Sequence, residues 1–239
     1  MDLGLCYENG DGVAKDEKEA LLWYRRAAEQ GYATAQCNLG FCYLEGIGAD
    51  PDPARGASWL FRAVKQGDLR AMTLLGRCYL DGRGVGRNEP KGLDLLTQAA
   101  DSGYPAAQCS LGYYYETGLH GLAQDQAAAV RLYRQAAEGG NATAQCNLGC
   151  CLLDGVGAER DPVQAAAWLR RAAESGLPRA LRMLGRCYAG GLGVERDAKR
   201  AAELYRQAID AGEAEAEEDL RRLEGRKRSG LLGRLFGKS

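Results

Sequence analysis

Residues 3–31 read LGLCYENGDGVAKDEKEALLWYRRAAEQG, and the spacing inside this stretch decides the fold because it returns along the chain. Leu-Gly pairs end at Gly4, Gly40, Gly76, Gly112, Gly149 and Gly185. Six residues after each glycine a loop opens: Gly10-Asp-Gly12, Gly46-Ile-Gly48, Gly82-Arg-Gly84, Gly118-Leu-His-Gly121, Gly155-Val-Gly157 and Gly191-Leu-Gly193. A further glycine closes each unit, at Gly31, Gly67, Gly103, Gly140, Gly176 and Gly212. The period is 36 residues, lengthened to 37 in the fourth unit by one extra loop residue. Self-similarity at such a period marks a repeat array.

Two helical patterns lie between the glycines. In the second unit the spacing predicts helix A over 33–45, with Ala35, Leu39, Cys42 and Tyr43 on one face. Helix B of the first unit carries Ala20, Trp23, Tyr24, Ala27 and Ala28 at helical spacing. Asp16, Asp52, Asn88, Asp125, Asp161 and Asp197 share one register position before the B helices. A short side-chain oxygen there can accept a hydrogen bond from the first free backbone N–H groups. Pro53 and Pro162 follow directly, where a missing N–H costs nothing. Small residues such as Ala63, Ala99, Ala136 and Ala172 allow close helix packing.

One helix pair cannot bury its apolar face alone, whereas stacked pairs can. The expected fold is therefore all-α: an α/α superhelix, or solenoid, of antiparallel helix pairs. Six units are read at 1–32, 33–68, 69–104, 105–141, 142–177 and 178–213, followed by a polar capping helix at 214–224. Together, residues 1–224 form the solenoid. Residues 225–239 are read as a basic, flexible tail. No strand-like alternation competes.

Composition narrows the function. The 31 basic and 32 acidic residues nearly cancel, which argues against nucleic acid as a partner, because phosphate binding needs clustered positive charge. No apolar run approaches the roughly 18 residues of a membrane span. The N-terminal MDLGLCYENGDG lacks the basic and apolar regions of a signal peptide. A cytoplasmic location is expected, where disulfides are disfavoured.

The first unit resembles the Sel1-like repeat family, relatives of the tetratricopeptide repeats. It carries the family pattern of Leu-Gly, Tyr, Gly-x-Gly-Val, Asp, Ala, Trp-Tyr, Ala-Ala and Gly at fixed offsets, and the resemblance covers about residues 1–223. Some positions depart from the pattern. Gly56 and Gly92 replace the helix B alanine, Leu95, Leu132 and Leu204 replace tryptophan, and Leu152 replaces the helix A tyrosine. Mid-helix glycine costs roughly 1 kcal/mol against alanine, so the second and third units are expected to be the least stable. Family resemblance implies that the A helices line a concave surface. Repeat arrays with such surfaces support binding more than catalysis, so a non-enzymatic protein-interaction scaffold or adaptor is expected. A β-lactam hydrolase like some disulfide-linked relatives is the alternative from another class. Those relatives pair cysteines at the end of helix B with the following helix, and this chain has none at the end of helix B.

Nine cysteines and one histidine are the candidate chemistry. Cys6, Cys42, Cys78, Cys151 and Cys187 stand two residues after the Leu-Gly glycine, on the buried stripe, where cysteine packs as a small hydrophobe. Cys37, Cys109 and Cys146 stand three residues before it, and Cys150 one after, towards the groove wall. Equivalent positions in adjacent units lie about 10 Å apart, too far for a disulfide. Zinc sites want four converging Cys or His ligands, and a cysteine nucleophile usually needs a histidine base. His120 alone in a loop supplies neither, so no catalytic residue, metal site or cofactor is expected.

The expected partner groove comprises Cys37, Phe41, Arg70, Thr73, Arg77, Cys109, Tyr113, Glu116, Cys146, Cys150, Arg179, Arg182 and Arg186. Its middle is apolar and thiol-rich, and three arginines stand at its C-terminal end. Arginine forks suit carboxylates, so the expected occupant is a protein or peptide that is acidic towards the sixth unit. The ends differ. The first helix A lacks about a turn and leaves Leu3, Leu5, Cys6 and Tyr7 poorly covered, read as truncation in preference to an oligomer contact. Residues 226–239 carry five basic and no acidic residues. Leu231, Leu232, Leu235 and Phe236 could dock this segment on a membrane surface, a third and weaker reading.

Overall fold

The structure, a computed structural model, describes residues 2–236, with side chains described for 3–225. Thirteen α-helices and no strand occur among the described residues. The chain divides into two compact units, Met1–Ala123 and Gln124–Ser239. The first holds α1 (Asp2–Asn9), α2 (Glu17–Glu29), α3 (Ala33–Glu45), α4 (Pro53–Val64), α5 (Leu69–Asp81), α6 (Glu89–Asp101) and α7 (Pro105–Thr117). The second holds α8 (Gln126–Glu138), α9 (Ala142–Asp154), α10 (Pro162–Glu174), α11 (Pro178–Gly190), α12 (Ala198–Asp210) and α13 (Glu215–Phe236). Within each unit consecutive helices pack together, and the A helices also touch, α3 on α5, α5 on α7, and α9 on α11. This is an all-α repeat solenoid.

The expected caps all form. Asp16 accepts from the backbone N–H of Lys18 and Glu19 at 2.9 and 3.1 Å. Asp52, Asn88, Asp125, Asp161 and Asp197 do the same at the other B helices. Two A helices are capped as well, by Asp68 on the Ala71 N–H at 2.7 Å and by Asn141 on the Ala144 N–H at 2.8 Å. The cap residue also ties the hairpin shut through its own backbone: the Asp52 N–H donates to the Tyr43 carbonyl at 2.8 Å, and the Asp161 N–H to that of Leu152 at 2.9 Å.

The loop glycines are needed for approach as well as for backbone shape. Gly48 and Gly84 have φ of +72° and +75°, a region that favours glycine. A Cβ there would overlap the carbonyl oxygens of Glu17 and Pro53, in the first turn of the preceding B helix. Gly157 and Gly193 meet Gln126 and Pro162 in the same way. These four loops thus rest on the repeat before them.

Gly56 and Gly92 have a packing reason that helix propensity leaves out. A Cβ at Gly56 would lie 2.8 Å from the Gly40 carbonyl oxygen, and one at Gly92 would lie 2.7 Å from that of Gly76. These helix pairs cross glycine on glycine, which lets the backbones approach closely and offsets the cost of glycine within the helix.

At the C-terminal end, α13 continues the backbone of the capping segment as far as Phe236. The side chains of 226–239, and with them the stripe of Leu231, Leu232, Leu235 and Phe236, lie outside the described residues. No helix among the described residues is long and apolar enough to cross a membrane.

Candidate functional site

The A-helix residues expected to line a groove separate into three sets. Within residues 1–123 Arg70, Arg77 and Tyr113 are exposed, and Phe41 and Glu116 are half-buried. Within residues 124–239 Arg179 and Arg186 are exposed and Cys150 is half-buried. The position three before the Leu-Gly glycine behaves otherwise. Cys37 and Cys146 are 1% exposed, Thr73 is 5% and Cys109 is 9%. These four are core residues and present no side chain to a partner, which corrects their place in the expected groove wall. The reason is packing between units: Cys37 sits in one cluster with Leu60, Ala63, Ala71 and Leu75, so it faces the following helix pair. Thr73 spends its hydroxyl on the Leu69 carbonyl at 2.8 Å.

Arg182 holds the same register position in the sixth unit, where the element that follows is the polar α13. Its guanidinium meets Asp219 at 2.8 Å and Glu213 at 3.3 Å, and it also pairs with Glu215. The chain's own carboxylates therefore neutralise the arginine expected to receive an acidic partner. Residues that are small where another repeat follows become a charged anchor where the cap follows.

Burial sets the thiol chemistry. It pushes Cys37 up to about 12 and Cys42, Cys109 and Cys187 up to about 11. None of the nine cysteines forms a disulfide. Cys42, Cys78, Cys151 and Cys187 are buried as expected, while Cys6 is half-buried. Cys146 and Cys150 differ from the rest. Pairing with Cys150, with burial adding to it, raises Cys146, and pairing with Cys146, helped by the charges of Arg179 and Arg186, lowers Cys150. His120 packs edge-on against Tyr114, ring centroids 4.6 Å apart, with Nδ1 3.9 Å from Glu89.

Two polar devices at the junctions escaped the sequence reading. The buried amides of Gln36, Gln108 and Gln145 donate to the carbonyls of Ala28, Ala100 and Ala137, near the end of the preceding B helix, at 3.1 to 3.2 Å. Arg70 donates to Asn38 Oδ1 at 2.7 Å, and Arg179 donates to Asn147 Oδ1 at 3.1 Å. The Arg70 guanidinium also lies 5.3 Å from the centre of the Phe41 ring. The signal was present: ATAQCNLG occurs at 33–40 and again at 142–149, each followed in the next unit by an arginine, Arg70 or Arg179.

Comparison with known proteins agrees with this architecture. Six consecutive segments, 1–32, 33–68, 69–104, 105–141, 142–177 and 178–213, match the family model of the Sel1 repeat. The chain belongs to the Sel1 repeat family. A Sel1 repeat protein from Oxalobacter formigenes is 32% identical, with a TM-score of 0.79 over 93% of this chain and 64% of that one. The c5321 protein, a protective antigen of uropathogenic Escherichia coli with an SLR fold, is 32% identical, with a TM-score of 0.73 over 93% of this chain and 47% of that one. The Sel1 chain described here thus spans under two thirds of the length of either relative. The immunity protein Pa5087 of Pseudomonas aeruginosa, 17% identical with a TM-score of 0.63 over 88% of this chain and 82% of that one, shares the fold. A search of curated proteins found no match. Sel1 repeat proteins are generally protein-interaction scaffolds, and their fold is typically non-catalytic.

Proposed function

We propose that this Sel1 repeat chain is a non-enzymatic scaffold that binds an acidic peptide segment on the A-helix face of residues 1–123. One observation carries the reading. Phe41, Arg77 and Tyr113 occupy the same register on α3, α5 and α7, and α5 touches both of its neighbours. The register therefore puts an exposed arginine position between two aromatic positions. Arg70, pinned on Asn38 over the Phe41 ring, adds a second cation. Arginine forks pair with carboxylates, and aromatic rings give contact area at low entropy cost. Residues 124–239 repeat the cations with Arg179 and Arg186, which supports acidic character in the partner. Arg182 is left out of the binding set, as are the buried Cys37, Thr73, Cys109 and Cys146.

Selection from a random phage-displayed peptide library tests this. The full chain is expected to enrich peptides that combine Asp or Glu with apolar residues. Arg77→Glu is expected to weaken the selected peptides about tenfold, the size of one charge-assisted contact, with the melting temperature unchanged. Equal affinity for the Arg77→Glu variant, or enrichment of basic peptides, would sink the proposal.

A further inference from the structure

We infer that the pocket between α11, α12 and α13 binds a small monocarboxylate, received by the Tyr205 hydroxyl and by the guanidiniums of Arg186 and Arg222. The inference is independent of the peptide reading, whose face lies within residues 1–123. It rests on residues 124–239, with the first repeat as a template.

Two register positions go together in this chain. One is on helix B, over the Leu-Gly glycine, and the other is four residues after that glycine on helix A. The second, third and fifth repeats pair leucine with leucine: Leu60 with Leu44, Leu96 with Leu80 and Leu169 with Leu153. The first and fourth pair tyrosine with glutamate: Tyr24 with Glu8 and Tyr133 with Glu116. The sixth breaks the rule, because Tyr205 is matched with Ala189. The rings of Tyr24 and Tyr205 are nevertheless placed alike. A Cβ on Gly4 would stand 2.6 Å from Tyr24 Cε1 and 3.3 Å from its Cζ, and one on Gly185 would stand 2.7 and 3.3 Å from the same atoms of Tyr205. In the first repeat that placement lets the Tyr24 hydroxyl donate to Glu8 Oε2. In the sixth it aims the hydroxyl at a carboxylate position where Ala189 ends in a methyl. That position is open: Ala189 and Tyr205 both line a pocket of about 250 Å³. Tyr205 is 2% exposed, and a buried hydroxyl gains from an acceptor there.

The rest of the pocket suits the same group. Arg186 and Arg222 set two guanidiniums in its wall against the single carboxylate of Asp219. Asp219 already accepts from Arg182 Nε at 2.8 Å, and Arg222 pairs with Glu218 at the exposed surface. Arg186 forms no ion pair among the described residues, and its Nη1 lies 3.5 Å from the Met183 sulfur. An arginine of this kind can pair with an incoming carboxylate. Burial, with the charge of Asp219 adding to it, pushes Tyr205 up to about 12, so its hydroxyl keeps the proton that it donates. Leu192 and Leu223 supply an apolar side for the body of the ligand. The volume falls below the roughly 300–1,000 Å³ of pockets for drug-sized ligands, which points to a carboxylate with only a few carbons.

The test titrates the isotope-labelled full chain with 4-methylvalerate and, separately, with its neutral isostere 4-methylvaleramide, and follows backbone amides by two-dimensional NMR. The acid is expected to bind with a Kd on the order of 1 mM and to shift Gly190, Leu192 and Leu223. The amide is expected to bind about tenfold or more weakly. Ala189→Glu gives Tyr205 the chain's own carboxylate, as in the first repeat. It is expected to weaken the acid about tenfold or more, with the melting temperature no lower. Tyr205→Phe keeps the ring and removes the donor, and is expected to weaken the acid about fivefold. Equal affinity for acid and amide in the wild-type chain overturns the inference, and that comparison needs no variant to fold. So do a titration that never saturates, shifts that spare 186–192 and 219–223, and an Ala189→Glu chain that binds the acid as the wild type does.

Discussion

Helices α3 and α9 open with the same eight residues and part at the ninth, which is Phe41 in α3 and Cys150 in α9. Their surroundings match at first. Leu39 and Leu148 are fully buried, Gln36 and Gln145 satisfy a carbonyl of the preceding helix, and Asn38 and Asn147 each hold an arginine from the next A helix. The differences begin at the partner B helix. Gly40 meets Gly56 on α4, whereas Gly149 meets Ala165 on α10. In the first case a Cβ on Gly40 would stand 3.0 Å from the Gly56 carbonyl oxygen, and in the second a Cβ on Gly149 would stand 3.2 Å from that of Ala165. The repeat thus has a rigid junction grammar and two adjustable points, the closeness of its helix pair and the residue under the arginine.

The largest test of that equivalence lies in the core. Leu60 and Leu169 occupy matching positions on α4 and α10, both at 0% exposure, with their side chains closed over Gly40 and Gly149. Leu60→Ala and Leu169→Ala are each expected to cost about 3 kcal/mol, as lost transfer energy plus a cavity, measured by urea denaturation. Costs that differ by more than about 1.5 kcal/mol would break the comparison. The next test separates the pairs. Gly56→Ala improves helix propensity on paper but drives a methyl into the Gly40 carbonyl, so it is expected to destabilise by about 2 kcal/mol. Ala165→Gly has no such clash and is expected to cost about 1 kcal/mol. A more stable Gly56→Ala chain would show that the close approach relaxes freely and that propensity governs.

Most of the fold was legible in the letters. The loop glycines, the six B-helix caps and the apolar stripe of helix A all follow from local spacing, and local spacing is what backbone hydrogen bonding and helical periodicity respond to. The site was less legible, because a repeat position is exposed or buried according to what the next unit puts against it. Cys37 read as groove wall from its angle on α3 alone, yet α4 and α5 cover it. Arg182 read as free charge because its three carboxylates lie 31 to 37 residues further along, in and beside a helix that the repeat pattern does not describe. Gln36 and Asn38 drew no reading from the sequence, because each has its partner one repeat away.

The ninth position leaves a smaller mark, visible at high pH. Burial holds Cys37 protonated up to about 12, while the unfolded chain ionises at the ordinary thiol value of 9.0. The stability that this contributes is complete below 9.0 and is lost as pH rises from there towards 12. Cys150 has the opposite sign. Pairing with Cys146 and the charges of Arg179 and Arg186 hold it below 9.0 in the folded chain, so its contribution is present above the ordinary value and offsets part of the loss. Urea midpoints taken from pH 8 to pH 10 are therefore expected to fall with pH. Cys37→Ala should flatten that fall by on the order of 1 kcal/mol, and Cys150→Ala should steepen it by less. A Cys150→Ala chain whose curve flattens instead would mean that the thiol on α9 ionises with difficulty, and that the residue under the arginine makes no electrical difference between the two copies.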